Sequence, residues 1–133
     1  MIINKSNCEI VNSSAIYLHD DLFLNLNYNK DKKTIVVSAK KFENGETYEI
    51  LFSNVVGVFS TGCDFWGKHS DTAFVDIFSN TDNQYLIPKL VEFDEKDTCD
   101  SQLNYENFIE IGFQFFSGDE LIIACEQMEI ESL

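Results

Sequence analysis

Ile109-Glu110-Ile111-Gly112-Phe113-Gln114-Phe115 is the stretch that decides the fold class, because apolar side chains stand at every second position with Glu, Gly and Gln between them. A period of two is the mark of a strand with one buried and one polar face. Ser117-Gly118-Asp119 follows as a turn, and Leu121-Ile122-Ile123-Ala124-Cys125-Glu126 returns, so residues 109–126 read as a β-hairpin. Met128 and Ile130, alternating with Gln127, Glu129 and Glu131, are expected to extend the return strand.

The same periodicity recurs toward the amino terminus. Leu22, Leu24, Leu26 and Tyr28 are expected on one face of a strand whose other face carries Asn25 and Asn27, and residues 29–33 are expected to turn. Thr34-Ile35-Val36-Val37-Ser38-Ala39 is β-branched and strand-like. Glu43-Asn44-Gly45-Glu46 contains Asn-Gly, a strong hairpin signal, and Tyr48, Ile50 and Phe52 continue on the returning strand, which makes the first half a three-strand meander.

In the middle of the chain, Val55-Val56-Gly57-Val58-Phe59 and Thr72-Ala73-Phe74-Val75-Asp76-Ile77-Phe78 read as further strands. Residues 60–68, with Gly62 and Gly67 around Trp66, read as an ordered loop. Asn80-Thr81-Asp82-Asn83 reads as a turn, Tyr85-Leu86-Ile87 as a short strand ended by Pro88, and residues 94–101 as a polar surface loop. No long 3.6-residue amphipathic pattern appears, so any helices are expected to be short, the favoured position being near residues 12–18. The expected fold is mainly β, with α+β as the variant: one domain over residues 1–133, a twisted antiparallel sheet or sandwich of meandering hairpins with one or two short helices.

Composition then narrows the function. An apolar fraction of 44% with twelve Phe is too hydrophobic for a disordered chain. No apolar run approaches the ~18 residues of a membrane span, and the first residues lack a signal-peptide pattern, so a cytoplasmic protein without membrane partners is expected. Nine Lys, no Arg and twenty-three acids give a net charge of −14, which argues against nucleic acid as a partner. The charge is uneven: residues 1–66 hold six Lys against eight acids, and residues 67–133 hold three against fifteen.

Four dispersed cysteines, Cys8, Cys63, Cys99 and Cys125, form no C-x-x-C pair and are expected as free thiols in or near the core. The catalytic candidates are His19-Asp20-Asp21 and Cys63-Asp64 with His69, whose six-residue separation permits a thiol and base contact without requiring it, and a hydrolase built on Cys63 and His69 is the least favoured reading. Asp94, Glu95, Asp97 and Asp100 offer carboxylates for a hard cation but lack the framework of a calcium loop. His19, Asp20 and Asp21 offer a partial transition-metal set, and no phosphate-cradling glycine motif is present. No cofactor is expected, and a small-molecule or metal-binding β domain is the alternative to a protein binder.

A protein binder uses what the chain has in excess. Acids steer a basic partner at long range, and exposed aromatics supply affinity. The candidate partner-binding residues are Asp64, Phe65, Trp66, Asp71, Asp76, Asp94, Glu95, Asp97 and Asp100, with Tyr85 and Tyr105 as further anchors. The chain itself is expected as a monomer or weak homodimer.

Tyr17-Leu18-His19-Asp20-Asp21 before an alternating strand, Phe52-Ser53-Asn54-Val55-Val56 leading to Cys63-Asp64-Phe65-Trp66-Gly67, and the terminal hairpin together resemble the small immunity proteins of bacterial polymorphic toxin systems, in particular the group called immunity protein 50. The resemblance implies a non-catalytic antidote that binds one cognate, basic toxin and blocks it. It carries over no fixed set of contacts, although His19, Asp20 and Trp66 match the pattern.

Overall fold

The computed structural model describes residues 1–61, 72–96 and 103–131. Among the described residues, nine strands form two antiparallel sheets. In chain order they are β1 (Ile2–Ile3), β2 (Leu22–Asn29), β3 (Thr34–Lys40), β4 (Thr47–Ser53), β5 (Gly57–Ser60), β6 (Phe74–Ser79), β7 (Ile109–Phe115), β8 (Glu120–Cys125) and β9 (Gln127–Ile130). The first sheet runs β1-β9-β4-β3-β2 and the second β5-β8-β7-β6. Helix α1 (Leu86–Lys96) lies between β6 and β7 in sequence. The mainly β, antiparallel expectation is thus met.

The sheets face each other across one core. Ile35, Val37, Ile50, Phe52, Met128 and Ile130 of the first sheet meet Phe74, Ile77, Ile111, Phe113, Leu121 and Ile123 of the second, all buried. Phe52 bridges the layers, meeting Phe113 edge-on at 6.1 Å, and within the second sheet Phe74 packs on Phe113 at 5.3 Å and Phe115 at 5.2 Å. Such pairs contribute about 0.5–1.5 kcal/mol each beyond the area they bury.

The two expected hairpins form where their turn chemistry places them. Gly45 (φ 75°) and Gly118 (φ 89°) take the left-handed conformations those turns require. The meander β2-β3-β4 also forms as expected.

Four expectations are corrected. First, β2 carries a bulge between Phe23 and Asn25, which shifts its phase. Phe23 is therefore buried while Leu24 is exposed, so Leu22, Leu24, Leu26 and Tyr28 do not share one buried face. Second, β9 does not extend β8. Inward residues Cys125 and Met128 are three apart instead of two, and at that break the chain crosses from the second sheet to the first, where β9 pairs with β4 and β1. Third, residues 13–18 are not helical; the short 3-10 helix is Cys8–Asn12, and Asn12 at its end bonds β6, its Nδ2 donating to Ser79 O at 2.9 Å and its Oδ1 accepting from Ser79 N at 2.8 Å.

The fourth correction is the largest. Leu86 and Ile87 open α1 instead of ending a strand, and Asp94, Glu95 and Lys96 are its last turn instead of a loop. Pro88 sits in the first turn, where its missing N–H has no intrahelical acceptor to lose. Leu86, Ile87, Leu90 and Val91 make a stripe that packs on Ile122, Ala124, Phe59 and Phe78, covering the outer face of the second sheet as a third layer. Among the described residues no helix is long and apolar enough to cross a membrane.

Candidate binding surfaces

The outer face of the second sheet is covered by α1, whereas no helix lies on the outer face of the first among the described residues. Register decides what that open face presents. Glu129 of β9 is paired with Leu51 of β4, and Glu49, two residues back along β4, shares the face with Leu51. Pairing of β4 with β9 ends at Ile50 with Ile130, so residues 47–49 run on past the end of the neighbouring strand. Glu46, Glu49, Glu129 and Glu131 thereby line a cleft of about 460 Å3 with Thr47, Tyr48, Leu51 and one cation, Lys41. Carboxylates about eighty residues apart in sequence converge there.

Lys41 also lines a second cleft of about 530 Å3 with Ser14, Ala15, Tyr17, His19, Asp20, Asp21, Phe42 and Glu43. Its aromatics stand in water: Tyr17 is 70% and Phe42 75% exposed. His19 Nδ1 donates to Val75 O at 2.8 Å, since a carbonyl only accepts, and this leaves Nε2 facing Asp20 Oδ1 at 3.6 Å. Phe116, also exposed, meets the imidazole edge-on at 5.3 Å.

Asp21 has a different task from its neighbour. It is buried, its Oδ1 accepts from Phe42 N at 3.0 Å, and its Oδ2 accepts from the Tyr48 hydroxyl at 2.7 Å. Burial first, and the Asp21 carboxylate second, hold the Tyr48 phenol well above the usual tyrosine range. Asp21 is thus committed to joining β2 to the β3-β4 connection and β4, and the His19-Asp20-Asp21 set lacks a free third ligand. Among the described residues no group of three or more His, Cys, Asp or Glu is placed to hold a metal ion.

Of the candidate binding residues, Asp76, Asp94 and Glu95 lie within the described residues, and Asp64, Phe65, Trp66, Asp71, Asp97 and Asp100 lie outside them. Asp76 is exposed on β6, its carboxylate accepting from Ile77 N at 2.8 Å. Asp94 is engaged within the fold. Its Oδ2 accepts from Leu103 N at 3.2 Å, and it accepts the Tyr105 hydroxyl, whose pKa is pushed up to about 12 by loss of water and by this carboxylate. Glu95 is exposed beside a surface ion pair between Lys96 and Glu92 at 3.1 Å. Tyr85 holds Phe59 edge-on at 5.0 Å and lies under the Lys89 ammonium.

The thiols that can be placed are Cys8 and Cys125, both free and buried as expected. Burial pushes the Cys125 thiol up to about 12, far from a nucleophile's range. Cys63, Cys99 and His69 lie outside the described residues, and with them the proposed Cys/His pair.

Sequence reasoning missed the clustering of Glu46, Glu49, Glu129 and Glu131, which depends on β9 leaving the second sheet. It also missed Tyr17 and Phe42 as exposed aromatics. No family model matches the chain, and no curated protein or solved structure matches it either.

Proposed function

We propose that this chain is a non-catalytic binding protein for a basic protein partner, and that it acts as an immunity protein that neutralises a cognate bacterial toxin. The observation that carries this reading is the adjacency of the two clefts through Lys41. Four glutamates in a cleft at the uncovered sheet adjoin a hollow bearing Tyr17, Phe42, Asp20 and Glu43. Carboxylates accelerate the encounter with a cationic surface, and exposed aromatics then supply buried area at small entropic cost. The resemblance in the Tyr17–Asp21 region points the same way, because that segment forms one wall of the hollow.

The test is capture of the partner from the source cells by the intact protein, followed by kinetics on the purified pair. The expected partner is basic, and the association rate falls at least about tenfold from about 20 to about 200 mM salt as the charges are screened. Glu49→Lys with Glu129→Lys slows association, while Tyr17→Ala with Phe42→Ala speeds dissociation. Co-expression with the wild-type chain, but not with these variants, restores growth to cells producing the partner. An acidic partner, or kinetics indifferent to salt and to both double variants, overturns the proposal.

A further inference from the structure

The hollow walled by residues 14–21 and 41–43 has a chemistry beyond general acidity. Leu18 is buried and anchors a turn in which Asp21 N donates to Leu18 O at 3.0 Å and Asp20 N donates to Phe74 O at 2.9 Å. Asp20 takes φ 72° there, a left-handed conformation that turns ordinarily give to Gly or Asn. A glycine would make the same turn with less strain. What Asp20 adds is a carboxylate, 45% exposed, on the wall of the hollow.

The fold sets that carboxylate beside a second acceptor. His19 Nδ1 donates to Val75 O at 2.8 Å, so in the neutral ring Nε2 carries a lone pair. It faces Asp20 Oδ1 at 3.6 Å, too far for a hydrogen bond. Two acceptors side by side suit a donor that carries several N–H groups. Asp21 does not compete for that donor, because its oxygens already accept from Phe42 N and the Tyr48 hydroxyl. Glu43, exposed, brings a further carboxylate from the other wall.

Aromatic faces choose between the cations a basic protein can offer. Tyr17 and Phe42 stand exposed, one on each wall, and the Tyr17 ring lies 6.2 Å from the His19 ring. A guanidinium is planar and weakly hydrated, stacks on such rings, and presents five donors in a fixed fork. An ammonium is compact and strongly hydrated, with three donors and no face to stack. A hollow of about 530 Å3 admits one arginine side chain with the backbone that carries it.

We infer that the hollow is the seat of one arginine side chain of the basic partner, its guanidinium bonded to Asp20 and His19 between the rings of Tyr17 and Phe42. This rests on reading the hollow as part of the partner's footprint. A single side chain held this way binds weakly by itself, with a dissociation constant on the order of 1–10 mM.

The test titrates the intact protein with N-acetyl-arginine methylamide, followed by NMR at about pH 7.5, where histidine is ordinarily neutral, and about 150 mM salt. The expected result is a saturable shift of the Tyr17, His19, Asp20 and Phe42 signals. The citrulline analogue, which has the same shape without the charge, binds at least about tenfold more weakly, and the lysine analogue at least about threefold more weakly. Asp20→Asn and Asp20→Gly each weaken the arginine probe at least about tenfold, while Glu106→Gln, an equal change of charge at an exposed site outside the hollow, leaves it as it was. Asp20→Gly also melts at or above the wild-type temperature, since glycine suits the backbone there. No saturable shift, citrulline or lysine binding as well as arginine, Asp20 variants that bind like the wild type, or a lowered melting temperature in Asp20→Gly each overturns the inference. The probe is read on this chain alone, so its failure removes the arginine seat and leaves the basic-partner proposal to its own test, whereas capture of an acidic partner removes that proposal without changing the probe's result.

Discussion

Glu110 occupies the polar side of an alternating strand and in sequence looks like a solvent-facing residue, yet it is fully buried. Its Oε1 accepts from Leu86 N at 2.7 Å and Ile87 N at 2.8 Å, and its Oε2 from Tyr85 N at 2.8 Å and Asn80 Nδ2 at 2.6 Å. A carboxylate from β7 thus satisfies the orphan donors at the start of α1 and opposes the helix dipole. Glu110→Ala strands four donors and is expected to cost about 3–5 kcal/mol in urea denaturation, whereas Glu110→Gln, which keeps one acceptor oxygen, costs about half as much. A loss below about 1 kcal/mol for the alanine variant would contradict this role. Cys125 and Tyr48 set a second expectation. Both titrate higher folded than unfolded, so their contribution to stability is complete below the unfolded values, 9.0 for the thiol and 10.0 for the phenol. It is lost as pH rises above those values. Stability should hold to about pH 9 and then fall by as much as ~1.4 kcal/mol per pH unit for each group, read from denaturant midpoints across the alkaline range.

At the scale of elements, α1 depends on two glycines whose use is invisible in sequence. A Cβ on Gly112 would overlap the Phe78 ring, and one on Gly57 would meet Leu90 Cδ1 at 2.7 Å. The far end of the Phe78 ring sits over Gly112 only because the glycine leaves room, and the helix stripe rests in the same layer. Gly112→Ala is expected to displace the ring, cost about 1–3 kcal/mol and accelerate hydrogen exchange in α1 more than in the β3-β4 pair. Uniform acceleration across both would mean that the ring does not seat the helix. The strands were legible element by element because each carries its own period of two. The helix was not, because four inward residues make too short a stripe and its cap comes from twenty-three residues downstream.

For the molecule as a whole, charge is the governing quantity. Divided by sequence, the acid excess falls on the second half; divided by fold, β9 and the residue after it bring Glu129 and Glu131 beside Glu46 and Glu49 of the first half. A net charge of −14 strains the compact state by self-repulsion that salt relieves. Raising NaCl from about 10 to about 300 mM should therefore raise the melting temperature by a few degrees at neutral pH, measured by circular dichroism. The pair Glu49→Gln with Glu129→Gln should raise it at low salt and shrink the salt effect. A melting temperature that falls with salt would show that attractive pairs outweigh the crowding of glutamates on the open face.

What the amino-acid order determined unaided was local: which segments alternate, where Gly45 and Gly118 turn the chain, and how many charges of each sign there are. Tertiary structure alone decided which sheet β9 joins, that Glu110 is buried and Glu129 is not, and that Tyr17 and Phe42 face water around His19. The reason is physical. Alternation says that a strand has two unlike faces, but the partner that covers each face is set by contacts between residues far apart in the chain. The same Glu therefore caps a helix on one sheet and lines an open cleft on the other.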